Sequence, residues 1–253
     1  MVAKRWVLYA AVVVGACASE QSPSAPSTAG PATASAPPAR VLMLTATEGY
    51  RHDAIPTARQ VMSMLAASSR EFTVTATEDL SSVNAGNLAN YDVLFFALTS
   101  GELAFAAEQE AAIVAFVHGG KGFMGAHSAT DTLYGWPEYG RIVGAYFKEH
   151  PWTQAGTVIV EDRAHPSTAE IGDRFTLTEE FYTFRDNPRP HVQVLLRLDA
   201  ASVGATGDYP LAWTSSIDSG RSYYNALGHF PETWLDVRFQ RQLLGAIRWL
   251  ARR

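Results

Sequence analysis

The sequence predicts an α/β fold: an open, mainly parallel β-sheet flanked by helices in three layers, with extra strands in its second half. Three observations predict it. Between residues 41 and 126 short apolar runs alternate with stretches of helical periodicity, the layout of parallel strands joined by covering helices. Beyond residue 156 the pattern changes to short strands separated by turn residues. The 253 residues are 47% hydrophobic and 18% charged, a balance that excludes disordered, collagen-like and coiled-coil chains.

The first seventeen residues stand apart from that fold. Lys4 and Arg5 form a positive segment, and Trp6 to Ala16 an apolar one. The apolar run is too short for a ~30 Å hydrocarbon core, which takes about 20 residues, and reads as an export signal. It ends in Val14-Gly15-Ala16-Cys17, which has the outline of a bacterial lipobox with Cys17 as the lipidated residue. Cys17 is the one cysteine of the chain, so an internal disulfide is excluded. Residues 18–39 are rich in Ser, Ala and Pro and carry a single charge, Glu20. Such a stretch cannot bury enough apolar surface to order itself and is expected to be a tether. The expected organisation is therefore a signal peptide at 1–17, a tether at 18–39 and one domain at 40–253. The expected location is the bacterial cell envelope, with a lipid anchor as the contact with membrane. A formal charge of −5 offers no basic footprint for nucleic acid.

Within the domain, Val41 to Ala46 is an apolar run that suits a buried parallel strand. Ile55, Ala58, Val61, Met62 and Leu65 then recur at helical spacing up to Ala67, with Pro56 tolerated in the first turn. Residues 72–76 alternate as a second strand, and residues 92–98 form a third, more apolar one. Glu108 to His118 is helical and is stopped by Gly119 and Gly120. Gly122 to Ala126 is a fourth strand that runs into a turn at His127. Further strands are expected at 156–161, 192–198, 210–214 and 221–226, and a closing amphipathic helix at 235–250. Ligands of such sheets bind beyond the carboxyl ends of the strands. That rule selects the loops 47–53, 99–104, 127–135 and 227–232, three of which hold a histidine.

Two of those loops have chemical outlines. Gly49-Tyr50-Arg51-His52-Asp53 leads from a strand into a helix, where backbone N–H groups face an anion, or where Asp53 simply caps the helix. Gly125-Ala126-His127-Ser128-Ala129 has the form of a nucleophile elbow with histidine at its tip. His127 there is a candidate general acid or base, with Asp131, four residues on, as its orienter. His229 follows Gly228 at another strand end, and Glu179-Glu180 offers carboxylates beside Tyr182. His165 joins these by count, and several histidines with a carboxylate suffice for a divalent metal such as Zn²⁺. The metal candidates are His52, His127 and His229, although no local signature such as H-E-x-x-H supports them. His118, His150 and His191 are expected to be structural or surface residues. Aromatic residues, among them Trp136, Trp152, Tyr182 and Trp213, are mostly expected in the core, with two or three lining a pocket.

Residues 41–251 resemble the ThuA-like (trehalose-utilisation) family, whose fold is that of the class I glutamine amidotransferases. The resemblance rests on Gly49-Tyr50-Arg51-His52, Gly122 to Thr132, His165-Pro166, Glu180-Phe181-Tyr182, Pro210 to Trp213 and Gly220 to His229. The wider superfamily implies a cysteine at the elbow; His127 stands there, so cysteine-dependent glutaminase chemistry is excluded. The resemblance implies carbohydrate metabolism: trehalose or a 3-keto-glycoside made by a partner sugar oxidoreductase, which a histidine base then attacks. On this reading His127, Asp131, His52 and Glu180 are catalytic, and Tyr50, Arg51, Tyr182, Trp213 and His229 bind substrate. A metal-dependent hydrolase using the same histidines and a non-catalytic sugar-binding lipoprotein stay open as alternatives.

Overall fold

The computed structural model describes residues 1–4, 6–13, 15 and 36–252. Cys17 and nearly all of the expected tether lie outside them. Among the described residues no helix is long and apolar enough to cross a membrane. The chain divides into Met1–Ser35 and Ala36–Arg253, and the elements below belong to the second unit.

The chain opens with strand β1 (Ala39–Leu44), helix α1 (Ile55–Ser69), strand β2 (Phe72–Thr77), the short α2 (Ala85–Leu88) and strand β3 (Val93–Ala97). Helix α3 (Ala107–His118), strand β4 (Gly122–Ala126) and α4 (Pro137–Val143) follow. The second half contains β5 (Phe147–Val160), β6 (Arg174–Phe184), β7 (Gln193–Leu198), β8 (Pro210–Ile217) and β9 (Gly220–Asn225), and closes with α5 (Pro231–Leu235) and α6 (Val237–Leu250).

The nine strands of the described residues form one sheet in the order β2-β1-β3-β4-β9-β8-β7-β5-β6. The first five of these run parallel, and the rest pair antiparallel. Every residue of β3 and β4 is buried, as expected of parallel strands covered on both faces. The expected apolar face of α1 is there, with Ile55, Ala58, Val61 and Met62 buried. Phe239, Leu243, Ile247 and Leu250 do the same for α6.

The structure departs from the sequence reading mainly in the second half. β5 is 14 residues long and starts at Phe147, nine residues before the strand expected at 156–161. β6 was not foreseen, nor was α4. The first nine residues of β5 are exposed or half-buried and carry no apolar alternation, so nothing in their pattern marks a strand. The closing helix is divided: α5 ends before Asp236, whose side chain caps α6 by accepting from the Arg238 N–H.

Candidate active site

The parallel strands end at one edge of the sheet, and three loops there bring histidines together. The loop after β1 is drawn against the loop after β3: the Glu48 N–H donates to the Ser100 carbonyl at 2.9 Å, and Ser100 Oγ donates to the Tyr50 carbonyl at 2.6 Å. A Cβ on Gly49 would lie 3.2 Å from the Gly101 nitrogen, so a side chain there would crowd this approach. It leaves His52, at 4% exposure, just ahead of α1.

β4 ends in the turn at His127, which has φ of 50° and is fully buried. A left-handed histidine costs roughly 1–2 kcal/mol, and its surroundings hold it there. Its carbonyl accepts from Tyr224 Oη at 2.7 Å, and its Nδ1 lies 2.8 Å from the Ala226 carbonyl. A carbonyl only accepts, so Nδ1 carries a proton and Nε2 is turned toward the site.

The third histidine follows β9. Gly228, at φ of 124°, turns the chain so that the N–H groups of Gly228 and His229 both donate to Glu179, at 2.9 and 3.1 Å. Thr233 Oγ1 donates to the same carboxylate at 2.7 Å.

Glu180 comes from the far side of the sheet. Although β6 is five pairings from β4, Glu180 Oε2 lies 3.5 Å from His127 Nε2 and 3.2 Å from His229 Nδ1. The antiparallel half therefore curls back over the strand ends. His229 Nδ1 is in turn 3.2 Å from His127 Nε2, and the rings of His52 and His127 meet edge to face at 4.7 Å. Above this floor a cleft of about 340 Å³ is lined by Tyr50, His52, Asp131, Phe147, His150, Glu180, Tyr182 and His229.

Burial and charge set the protonation of these groups. Desolvation lowers the His52 imidazole to about 3, helped by the neighbouring His127 and His229. Burial alone would raise the Glu180 carboxyl, but hydrogen bonds from His127 and His229 outweigh it and hold the group below the ordinary carboxylate range. Burial likewise opposes charge on His229, and the hydrogen bond to Glu180 overcomes it, so this imidazole is raised. Asp131 is raised by burial, with the Tyr134 hydroxyl offsetting this only in part. The cleft thus holds a neutral imidazole, a carboxylate and a more basic imidazole side by side.

The structure brings His52, His127, Glu180 and His229 together, with Tyr50, Asp131 and Tyr182 at the walls. Asp131 accepts from Tyr134 Oη at 2.6 Å, and the orienter of His127 is the Ala226 carbonyl instead. Arg51 is not at the cleft: its guanidinium forms a two-pronged pair with Glu78 at 2.8 and 3.1 Å on the exposed surface. Trp213 is buried in the core, where it donates to the Val143 carbonyl at 2.9 Å and packs on Tyr224. His165 lies apart as well, against Tyr223 and Trp249. His150, expected to be a structural or surface residue, is exposed and also reaches the cleft, with Nδ1 at 3.3 Å from Glu180 Oε1. Together with Phe147 it reaches the cleft because β5 starts early. Of the aromatic candidates, Tyr182 lies on His127 with ring centres 4.3 Å apart.

The family model for trehalose utilisation, ThuA, matches residues 40–250. The chain belongs to the ThuA family. Solved structures agree on the fold. A ThuA-like protein from Bacteroides uniformis is 24% identical with a TM-score of 0.71, covering 87% of this chain and 94% of that one. Another from Parabacteroides merdae is 18% identical with a TM-score of 0.70, covering 85% and 90%. A β-galactosidase from Bacillus circulans sp. alkalophilus shares the fold over 31% of its own length and 83% of this chain, at 12% identity and a TM-score of 0.55. No curated protein matches the sequence significantly. In this ThuA domain the elbow position of the fold is thus occupied by His127 at the base of a histidine cluster.

Proposed function

We propose that this ThuA-family chain is an exported, lipid-anchored enzyme of the bacterial cell envelope that acts on a 3-keto-glycoside by proton transfer beside the ketone. The observation that carries the reading is the convergence of His52, His127, His229 and Glu180 under a cleft walled by Tyr50, Phe147 and Tyr182. The family link to trehalose utilisation supports a sugar substrate. Residues 1–17, with Cys17 at the lipobox position, support export and anchoring.

A ketone at C3 acidifies the neighbouring C–H, so a side-chain base can remove that proton. The enolate then expels the glycosidic oxygen, which takes up a proton, and no redox change occurs. A positive charge on the cleft floor, where His52, His127, His229 and Glu180 converge, would face the developing oxyanion, a contribution often worth about 3–4 kcal/mol. His127 is fully buried beneath the cleft; it positions His229 and Glu180 and leaves proton transfer to His150 and Asp131 on the walls. A sugar oxidoreductase that makes the ketone is the partner this chemistry requires.

Incubating the full chain with a 3-keto-disaccharide and following the released monosaccharide by mass spectrometry tests the reading. The wild type is expected to turn the substrate over, and His150→Ala to lose at least about 100-fold in rate, the scale of general acid–base catalysis. Tight binding of the disaccharide with no product over hours would make the chain a sugar-capturing lipoprotein instead. Equal turnover by wild type and variant would remove His150 from the chemistry.

A further inference from the structure

The four groups on the floor of the cleft have the spacing of ligands round one ion. A four-coordinate divalent cation holds nitrogen and oxygen ligands at about 2.0–2.1 Å, which places neighbouring ligand atoms about 3.3–3.4 Å apart. The three closest separations here are 3.2 Å for His127 to His229, 3.2 Å for His229 to Glu180 and 3.5 Å for His127 to Glu180. His52 completes the set, with all four candidate atoms within 4.8 Å of one another.

Hydrogen counting points the same way. With its Nδ1 proton directed at the Ala226 carbonyl, His127 turns Nε2 toward Glu180 and His229. His229 Nδ1 lies 3.2 Å from both His127 Nε2 and Glu180 Oε2, and one N–H there cannot serve both equally. A cation at the centre satisfies all of them.

The surroundings are those of a built site. Each donor is held from behind: His127 by the Ala226 carbonyl, Glu180 by His150 at 3.3 Å, and the His229 backbone by Glu179 at 3.1 Å. Ser128 Oγ lies 3.4 Å from His52 Nδ1. Such outer partners fix ring orientation and ligand basicity at metal centres. Three imidazoles and one carboxylate suit a borderline first-row ion more than magnesium or calcium, which take oxygen ligands.

We propose that His52, His127, His229 and Glu180 bind a single divalent cation of the zinc type, reachable from the cleft. The inference rests on the proposed function only for what the ion would act on: it would polarise the substrate carbonyl as a Lewis acid.

The full chain, purified without chelator or polyhistidine tag, is loaded with Zn²⁺, freed of excess and measured by elemental analysis. Close to one equivalent per chain is expected. Glu180→Gln keeps the side-chain shape and, with circular dichroism unchanged, is expected to lower the bound metal at least tenfold; His229→Ala is expected to do the same. Cobalt in place of zinc is expected to give the intense visible absorption of a four-coordinate ion in the wild type alone. Less than about a tenth of an equivalent in the folded wild type, or equal loading of wild type and Glu180→Gln, overturns the proposal. Keto-sugar turnover that survives complete metal removal overturns the Lewis-acid role, leaves the metal site to the loading measurement and leaves the proposed function standing. A metal-loaded chain that turns over no keto-sugar sinks the function and leaves the metal site standing.

Discussion

Glu179 is the residue on which the placement of His229 depends. Its carboxylate is fully buried and accepts from the N–H groups of Gly228, His229 and Glu180 and from Thr233 Oγ1. Glu179→Ala leaves four donors without an acceptor, three of them buried and that of His229 half-buried. At about 1–3 kcal/mol for each unsatisfied group, and with some relaxation of the loop, the expected loss is about 4 kcal/mol. For a domain of this size each kcal/mol moves the melting temperature by about 2–4 °C, so the variant should melt roughly 8–16 °C lower. Glu179→Gln keeps one accepting oxygen and should lose about half as much. Differential scanning calorimetry reads both. A melting temperature of Glu179→Ala within about 2 °C of wild type would refute the reasoning, because it would mean that those donors find other partners at no cost.

Three further outcomes are expected. His165 is lowered to about 4 by burial, so its neutral form is the one the fold accommodates. The stability this contributes is full above about pH 6.5 and is lost as pH falls toward 4, at most about 3 kcal/mol. Urea titrations should therefore show a flatter stability–pH curve for His165→Asn than for wild type over that range, and parallel curves would contradict this. Arg51→Ala, at a surface pair with Glu78, should change keto-sugar kcat/KM by less than about twofold, since exposed ion pairs are worth about 0–1 kcal/mol; a large loss would put Arg51 back in the cleft. Gly144→Ala places a Cβ 2.5 Å from Trp213 Nε1 at a backbone φ of 97°, and should destabilise by about 1–3 kcal/mol in calorimetry, whereas an unchanged melting temperature would show that the Trp213 ring yields freely.

The parallel half of the fold was legible because its strands are buried on both faces. β1, β3 and β4 read as unbroken apolar runs, and the glycines at 119 and 120 mark where α3 stops. The same strand ends disclosed His52, His127 and His229, since position after a strand is itself a signal in α/β sheets. The β5–β6 hairpin was hidden because its outer part, from Phe147 to Ala155, is largely exposed and polar, so burial left no periodic trace in it. With the hairpin went His150, whose sequence neighbours Glu149 and Pro151 suggest a surface turn. Arg51 and Trp213 misled for the opposite reason. Both belong to motifs that resemble the family, yet the first answers a surface charge, Glu78, and the second fills the core above Gly144. A motif fixes which residues occur together, while the curl of a sheet decides which of them face one cleft.

The central claim is that the cleft removes a proton beside a sugar ketone, and solvent exchange tests it most directly. A 3-keto-disaccharide is incubated in D₂O with the full chain, and deuterium at the carbon next to the ketone is followed by NMR. Catalysed loss of the hydrogen from that carbon, by exchange or by elimination, is predicted with the wild type, falling at least about 100-fold in His150→Ala. Bond cleavage by the wild type that leaves the original hydrogen on that carbon in the product would contradict the account and point to direct hydrolysis.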